Sequence, residues 1–382
     1  MAKKAKVGIK IPTSNEIAKK YGSMIIKASE TKESGLWLPS TFYMFNYTLG
    51  GGIPFGKILE IAGEESSGKS LIAYNFAYAT QQLGGHVIWV DAEQSWMNSW
   101  AETNGVDPNK VTLIQDTRIE YIADAVADIA IYLRSQLVNN EPILLVMDSI
   151  AAMDCVDNID AKMAEAKAEM GGRAKALYKY FRIRNELFYK LGVTQIYINQ
   201  LRTALNVGFG KDNTTTTGGA ALKFYASIRA AFYSGKSITV KQKGKERKAG
   251  KLVTIRLIKN KVAPPRPTIS KCPVYFNPKF HEVGFDKCFG LEDVFVENDI
   301  IEKSSGGVYK YKGKTLARGE ENFQKLLEED DDLRRKLLRA ADINTIGQTK
   351  KKLAKLTENL YPVDGDLEYQ SIKDVDDEED DN

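Results

Sequence analysis

The chain has 382 residues, of which 43% are hydrophobic and 27% are charged. This length allows two domains, or one large core with an appendage, and the proportions are those of a globular protein. The longest apolar run near the centre, Pro142 to Met147, is far too short to span a bilayer, so we expect no membrane association. No apolar segment follows the basic N-terminus, which argues against a secretory signal. The three cysteines, Cys155, Cys272 and Cys288, lack metal-site spacing and fit a reduced, cytoplasmic setting.

Charge divides the chain into a basic body and an acidic tail. Residues 363–382 hold ten acidic residues and one lysine, a net charge of −9, whereas the whole chain carries +4. The rest of the chain therefore carries +13. This asymmetry is typical of a protein that binds a polyanion while its own tail competes for the same surface. A solvated, disordered tail that only aids solubility is the alternative.

The predicted elements begin with a short helix from Asn15 to about Ile25, capped by Ser14, which we expect to pack as an arm on a neighbouring subunit. Strand-like apolar runs then alternate with helical patterns. The runs cover 58–62, 87–91, 111–114, 143–148 and 194–199, and the helical patterns lie near 68–83, 95–104, 119–138 and 173–191. This alternation predicts an α/β fold, with a mostly parallel sheet flanked by helices.

The second half of the chain contains a predicted hairpin and then changes character. Two strand-like runs, Ser227–Tyr233 and Leu252–Ile258, flank a lysine-rich loop at 236–251. After about Gly290 the segments become short, charged and helical. We therefore expect an N-terminal helix and arm at 1–34, a core at 35–289, a small C-terminal α/β domain at 290–345, and a linker with the disordered acidic tail at 346–382. The first part of the last segment, residues 346–362, is either amphipathic or linker-like.

The most informative stretch is the sequence Gly-Glu-Glu-Ser-Ser-Gly-Lys-Ser at 63–70, which fits the phosphate-binding pattern G-x-x-x-x-G-K-[ST]. It lies between a predicted strand and a predicted helix, so backbone N–H groups and a helix N-terminus would face a phosphate. Lys69 supplies positive charge for the outer phosphates, and the Ser70 hydroxyl can hold Mg²⁺. The sequence thus predicts an ATP and Mg²⁺ site formed by Gly63, Glu64, Glu65, Ser66, Ser67, Gly68, Lys69 and Ser70.

Polar residues follow three of the predicted strands. Asp148 ends the fourth apolar run, where a P-loop protein places the carboxylate that orients the water shell of Mg²⁺. The second run ends in Asp91 and is followed by Glu93, and either carboxylate could polarise the attacking water. In a doubly wound sheet these strands end at the same edge as the P-loop. Gln200, after the fifth run, is either a γ-phosphate sensor or an ordinary surface amide.

Seven motifs occur in a characteristic order along the chain: Gly63–Ser70, Asp91–Glu93, Asp148–Ala152, Ile198–Arg202, Thr215–Gly219, Ala221–Ser227 and Lys259–Ala263. With them the chain resembles, over about residues 14–345, the RecA family of homologous-recombination ATPases. The resemblance implies a RecA-like P-loop ATPase core that polymerises as a helical filament on single-stranded DNA, with ATP between adjacent subunits. It also implies pairing with homologous duplex DNA and strand exchange, with single-strand-binding or mediator proteins as further partners.

The resemblance assigns a role to each residue of the predicted ATP site. Lys69 and Ser70 match the phosphate and Mg²⁺ residues, and Asp148 matches the acid that holds Mg²⁺ through water. Glu93 falls at the catalytic carboxylate, which decides between the two candidate acids. Gln200 matches the γ-phosphate sensor at the root of a DNA-binding loop.

The resemblance also adds residues that composition and spacing do not single out. Lys259 and Lys261 match two lysines that reach the ATP of the neighbouring subunit, where they would neutralise developing phosphate charge. Phe224 matches an aromatic residue at the subunit interface. Trp100 and Tyr275 match two rings that stack on adenine.

Two stretches near 156–172 and 202–218 resist assignment to the core, and the resemblance makes them DNA-binding loops. Met170 and Leu205 match apolar side chains that wedge between base triplets. Phosphate contacts are expected from Arg173, Lys175, Arg182, Arg202, Lys211, Gly218 and Gly219. The predicted C-terminal domain carries four basic residues, Lys310, Lys312, Lys314 and Arg318. They could capture duplex DNA or form a solvated basic face, and the sequence favours neither alternative.

Two rival functions share parts of this pattern. A ring-forming helicase-type motor has the same core fold, but would lack the features at Thr215–Gly219 and Lys259–Lys261. A regulatory module that binds ATP and assembles without hydrolysis is the other rival, and the presence of Glu93 argues against it.

Overall fold

The computed structural model describes residues 35–160, 171–203, 214–216, 220–242 and 244–361. The predicted N-terminal helix, the acidic tail and parts of both predicted DNA loops lie outside these residues. Two compact units, Met1–Gly35 and Leu36–Asn382, make up the chain, and all elements below belong to the second.

The strands are β1 (Trp37–Leu38), β2 (Ile53–Pro54), β3 (Ile58–Gly63), β4 (His86–Asp91), β5 (Val111–Ile114), β6 (Ile143–Asp148), β7 (Val193–Thr203), β8 (Thr214–Thr216), β9 (Ile228–Gln242), β10 (Lys245–Asn260), β11 (Ile269–Tyr275), β12 (Gly284–Phe285), β13 (Glu302–Lys303), β14 (Val308–Tyr311) and β15 (Lys314–Arg318). The helices are α1 (Tyr43–Leu49), α2 (Lys69–Gln82), α3 (Asn98–Thr103), α4 (Ile119–Gln136), α5 (Val156–Asp160), α6 (Gly172–Lys190), α7 (Ala221–Tyr225), α8 (Leu291–Glu297), α9 (Glu320–Glu329), α10 (Asp331–Ala340) and α11 (Ile346–Leu353).

A ten-stranded sheet organises the described residues. Its order is β12-β11-β10-β9-β3-β7-β6-β4-β5, and β8 pairs with the end of β7. The strands from β9 to β5 in this order run parallel, whereas β10, β11 and β12 are antiparallel to their neighbours. The predicted α/β fold with a mostly parallel sheet flanked by helices is confirmed.

Both faces of the central strands are buried, which explains why they appear in the sequence as continuous apolar runs. In β6, Leu144 and Val146 belong to the hydrophobic cluster that includes Phe76 of α2. Leu145 lies on the opposite face, in the cluster that includes Val126 of α4. The alternation follows from the two-residue period of a strand, and it places a helical layer on each side.

The prediction of a lysine-rich loop at 236–251 was wrong. Strands β9 and β10 pair, with shifts of register on the way, up to Gln242 and Lys245, so most of these lysines lie on an exposed two-stranded hairpin. The stretch Ser237-Ile238-Thr239-Val240 contains three consecutive β-branched residues, a signal for a strand that the charged neighbours concealed.

The C-terminal elements surround a third hydrophobic cluster, which includes Leu291, Phe323 and Leu337. Helix α11 and the segment after it then return to the core. The Thr349 hydroxyl donates to the Trp37 carbonyl at 2.9 Å, and the Asn140 amide donates to the Glu358 carbonyl at 3.0 Å. Within the described ranges, no helix combines the length and apolar character needed to cross a membrane.

Candidate active site

The P-loop connects β3 to α2 and requires glycine at both ends. A Cβ atom on Gly63 would lie 2.6 Å from the Phe232 carbonyl oxygen, and Gly68 has a φ of +87°. Between them the loop closes on the Glu64 carbonyl, which accepts hydrogen bonds from the Ser67 hydroxyl at 2.8 Å and the Lys69 ammonium at 2.6 Å. These hydrogen bonds hold the loop in a compact turn, and α2 begins at Lys69.

Strand register brings the other predicted residues to the same edge. Gly63 of β3 lies beside Gln200 of β7, and Asp91 of β4 lies beside Asp148 of β6. Since the four strands are neighbours in the order β3-β7-β6-β4, their carboxyl ends form one continuous row. Ligands of open α/β sheets bind along such an edge.

Asp148 and Lys69 are oppositely charged groups, of which the first is buried and the second half-buried. Burial raises the pKa of the Asp148 carboxyl from 3.8 to about 6, with a further increase from Glu93, whereas a hydrogen bond with Ser70 and the charge of Lys69 lower it. Burial lowers the pKa of Lys69, and Asp148 and Glu93 oppose that shift. The link between Asp148 and the Ser70 hydroxyl is the arrangement expected around a Mg²⁺ ion.

Asp91 and Glu93, which the sequence offered as alternative general bases, have different surroundings. Asp91 is buried, and its two oxygens accept hydrogen bonds from the backbone N–H groups of Ser95 and Trp96, both at 2.9 Å. Glu93 is exposed, and its carboxylate accepts a hydrogen bond from the Ser149 hydroxyl. Asp91 therefore holds the turn after β4, whereas Glu93 is accessible to water.

A cavity of about 550 Å³ extends from the P-loop to the antiparallel side of the sheet. Residues 66–70 line one end, together with Trp100. Tyr275 is not among the lining residues, and its ring instead stacks on His281 with a centroid distance of 3.8 Å. The next residue, Phe276, lines the cavity in its place.

Sequence reasoning missed several residues of this site, among them Phe276, Lys248 and Lys251, which line the cavity, and Ser149, which holds Glu93. The signal for Phe276 is the two-residue period of β11, because Val274 also lines the cavity and Tyr275 projects to the other side. The two lysines were assigned to a loop, whereas they lie on β10 and line the same cavity as the P-loop residues.

The predicted trans-acting residues occupy a different surface. The Lys259 ammonium donates to the carbonyls of Lys223 and Phe224 at 2.7 and 3.2 Å. Burial lowers the pKa of Lys259, and the charges of Lys261 and Arg229 lower it further. Lys261 is exposed, and Phe224 is 72% exposed. None of the three predicted residues lines the cavity of its own chain.

The structure describes only some of the predicted DNA contacts. The Arg173 guanidinium donates to the Ala151 carbonyl at 2.8 Å, near the carboxyl end of β6. Lys175 and Arg182 are exposed on α6, and their seven-residue spacing places them on one side of that helix. For Arg202 only the backbone in β7 is described. Met170, Leu205, Lys211, Gly218 and Gly219 lie outside the described residues.

No three His, Cys, Asp or Glu side chains come together as a metal site in the part of the chain that the structure describes. A divalent ion beside Ser70 and Asp148 would thus take most of its remaining ligands from nucleotide phosphates and water. The buried Asp148 carboxylate, with Glu93 and Asp91 near it, fits a cation at this position.

A P-loop at the carboxyl edge of a mostly parallel sheet, with a buried acid on the neighbouring strand β6, defines a P-loop ATPase. The family model for the RecA N-terminal domain matches residues 10–277. The chain is 32% identical to Protein RecA of Mycoplasma mycoides over 344 residues, which cover 89% of this chain and 91% of that protein. It is 33% identical to Protein RecA of Saccharopolyspora erythraea over 321 residues (83% and 87%), and 32% identical to that of Nitratidesulfovibrio vulgaris over 362 residues (92% and 93%).

The chain belongs to the RecA family. It is accordingly a DNA-dependent ATPase of homologous recombination and DNA repair, which binds DNA and forms filaments.

Proposed function

We propose that this chain polymerises on single-stranded DNA with ATP and Mg²⁺ bound, pairs that strand with homologous duplex DNA and exchanges the strands. One observation carries the proposal: a single chain supplies the P-loop cavity, but Lys259 and Lys261 do not line it. A site whose remaining cations come from a neighbouring subunit turns over ATP only in the assembled filament.

Within one chain, each polar group at the sheet edge has a distinct task. Lys69 would hold the outer phosphates, and the backbone N–H groups of the P-loop would orient them. Ser70 and Asp148 would hold Mg²⁺, the latter through water. Bound Mg²⁺ would neutralise charge on the phosphates and polarise the bond to be broken. Glu93, oriented by the Ser149 hydroxyl, would accept the proton of the attacking water.

Gln200 and the lysines of the neighbouring subunit would couple hydrolysis to DNA. Gln200 lies beside the first P-loop residue, at the root of the predicted second DNA loop. We propose that its amide contacts the γ-phosphate and transmits nucleotide state to that loop. Lys259 and Lys261, with Phe224 at the same surface, would complete the ATP site of the adjacent subunit.

For the nucleotide base, we propose Trp100 and Phe276 as the aromatic contacts, since both line the cavity. Tyr275, matched to this role by resemblance, already has one ring face against His281. An aromatic pair of this kind binds a planar base by stacking.

For DNA, we propose that Arg173, Lys175 and Arg182 on α6, with Arg202 on β7, contact phosphates near the carboxyl edge of the sheet. Met170, Leu205, Lys211, Gly218 and Gly219 keep their predicted roles in the two loops. We also propose the cytoplasm as the compartment, because all three cysteines are free and buried.

The rate of ATP hydrolysis without DNA, with single-stranded DNA and with duplex DNA tests the proposal. Strong stimulation by single strands, followed by strand exchange between a circular single strand and a homologous linear duplex, would support it. Hydrolysis that is indifferent to DNA would contradict it, and would favour a module that binds ATP and assembles without driving exchange.

A further inference from the structure

A buried carboxylate lies within the sheet, three residues before the P-loop. Glu60 of β3 is fully buried, and its two oxygens have different partners. One accepts a hydrogen bond from the Asn199 amide at 3.0 Å, and the other accepts from the Arg229 guanidinium. The P-loop strand is thereby tied to both of its neighbours, β7 and β9, by side chains as well as by the backbone.

Strand register shows that these contacts are directed across the sheet. Glu60 lies beside Arg229 of β9, and Arg229 lies beside Lys259 of β10. On the other side, Glu60 lies beside Tyr197 of β7. Asn199 is two residues further along and shares a face with Tyr197, which allows it to reach Glu60. A row of polar and charged groups therefore runs across four adjacent strands.

The two ends of this row lie beside the residues that are proposed to respond to ATP, Gln200 at one end and Lys259 at the other. The Asn199 side-chain oxygen accepts a hydrogen bond from the backbone N–H of Gln200 at 2.9 Å, so it fixes the residue proposed to contact the γ-phosphate. At the other end, Arg229 and Glu60 influence Lys259 electrostatically. Lys259 in turn donates to the backbone of Phe224, the exposed aromatic residue of α7.

Stability alone is a weak reason for this arrangement. A buried ion pair contributes little net stability compared with well-packed apolar residues, although removal of one partner is strongly destabilising. Charged and polar side chains with directed hydrogen bonds do, however, permit only one relative position of the strands that carry them. Here those strands are β3, β7 and β9, which carry the P-loop, Gln200 and Arg229, and Arg229 is the register neighbour of Lys259 on β10.

We propose that Glu60, Asn199 and Arg229 form a coupling cluster of positioning residues. The cluster holds Gln200 at a set position relative to the P-loop, and holds Lys259 in the orientation needed at the subunit interface. None of its members touches the reacting atoms. The proposal rests on the proposed function, because it assigns the cluster to the coupling between DNA binding and ATP turnover.

The test uses Glu60→Gln in the full-length protein. The amide retains the shape of the side chain but cannot accept hydrogen bonds from both Asn199 and Arg229 with two oxygens. We expect the KM for ATP, and the affinity for a fluorescent ATP analogue, to stay within about threefold of wild type, because the P-loop is unchanged. We expect kcat in the presence of single-stranded DNA to fall about 10- to 100-fold, as for a misplacement of catalytic groups by about 1 Å.

A second substitution keeps the test decisive if Glu60→Gln does not fold. Arg229→Lys retains the positive charge at this largely buried position, but it removes the guanidinium geometry. The same loss of DNA-stimulated kcat, with the KM for ATP unchanged, is expected. A folded variant of either kind whose stimulated kcat stays within about twofold of wild type would overturn the proposal.

Asp124→Asn serves as the matched control. It weakens another ion pair with a buried partner, Arg184 to Asp124, on the α4 and α6 side of the molecule. We expect Asp124→Asn to lose about as much stability as Glu60→Gln but to keep the stimulation of ATP hydrolysis by single-stranded DNA. If Asp124→Asn lost as much of this stimulation as Glu60→Gln, the loss would be a general result of lower stability, and the coupling role would be overturned. Failure of the proposed function is separable, because wild-type protein would then show no stimulation by single-stranded DNA at all.

Discussion

Substitution of Asp148 by Asn should stabilise the nucleotide-free protein at neutral pH. The carboxyl lies at the end of a buried strand, and burial raises its pKa from 3.8 to about 6. Ionisation is therefore less favourable in the folded state than in the unfolded state. An amide of the same shape removes this charge and still offers an oxygen to the hydroxyl of Ser70.

The sign and size of the effect follow from the same pKa values. The folded state binds the proton more tightly, so this group contributes its full stabilisation below pH 3.8 and loses it as the pH rises through about 6. A shift of this size corresponds to about 3 kcal/mol, at about 1.4 kcal/mol for each pH unit between the two pKa values. The free energy of unfolding of the variant should thus be about 1–3 kcal/mol higher than that of wild type at pH 8, and this difference should shrink toward pH 4.

Urea denaturation at pH 5 and pH 8, without nucleotide or Mg²⁺, measures this difference. Asp91→Asn is the control, because it is the same substitution at the neighbouring strand end, on a carboxylate that accepts hydrogen bonds from the backbone of Ser95 and Trp96. It should lower the stability by about 1–3 kcal/mol at both pH values. An Asp148→Asn variant that is less stable than wild type at pH 8, or whose advantage does not depend on pH, would refute the reasoning.

Three further predictions test the other assignments. Glu93→Gln should preserve ATP and DNA binding but lower phosphate release with single-stranded DNA by about 100-fold or more, and undiminished hydrolysis would contradict its role as the base. Changing Lys259 and Lys261 together to alanine should leave ATP affinity within about threefold in the isolated subunit and abolish the stimulation by DNA; unchanged stimulation would refute a role in trans. In titrations with a fluorescent ATP analogue, Phe276→Ala should weaken binding about 3- to 10-fold, whereas Tyr275→Ala should have little effect. A larger loss of binding in Tyr275→Ala than in Phe276→Ala would show that Tyr275 contacts the base.

The parallel half of the sheet was predictable because its strands carry a strong and simple signal. The run at 143–148 is apolar on both faces, and only a strand covered by helices on both sides buries all of it. The P-loop has fixed spacing for a steric reason, since the backbone at Gly63 and Gly68 tolerates no side chain without a shift. Patterns with one physical cause can be read from sequence.

The antiparallel half was less predictable, although β9, β10, β11 and β12 follow one another in the chain, because the side chains that face the site are set by strand register and not by an apolar pattern. The lysines of the hairpin are compatible with either a loop or an exposed strand, and only their register with β9 decides between these. Similarly, Tyr275 and Phe276 are adjacent aromatic residues with equal suitability for stacking on a base. Which of them faces the cavity is set by the pairing of β10 with β11, from Gly250 beside Tyr275 onward.

The pKa shifts of Asp148 and Lys69 have one common cause, which is burial at the nucleotide site. Burial at the carboxyl edge disfavours the charged forms of both Asp148 and Lys69, so each is held in a state less stable than it would have in water. Phosphates beside Lys69 and a cation beside Asp148 would add to the opposite charge that each group already finds in the other. Binding of Mg²⁺ and ATP should therefore bring Asp148 fully into its ionised form and release a proton below about pH 6. The same burial that reduces stability in the free protein thus strengthens the response of the site to its nucleotide.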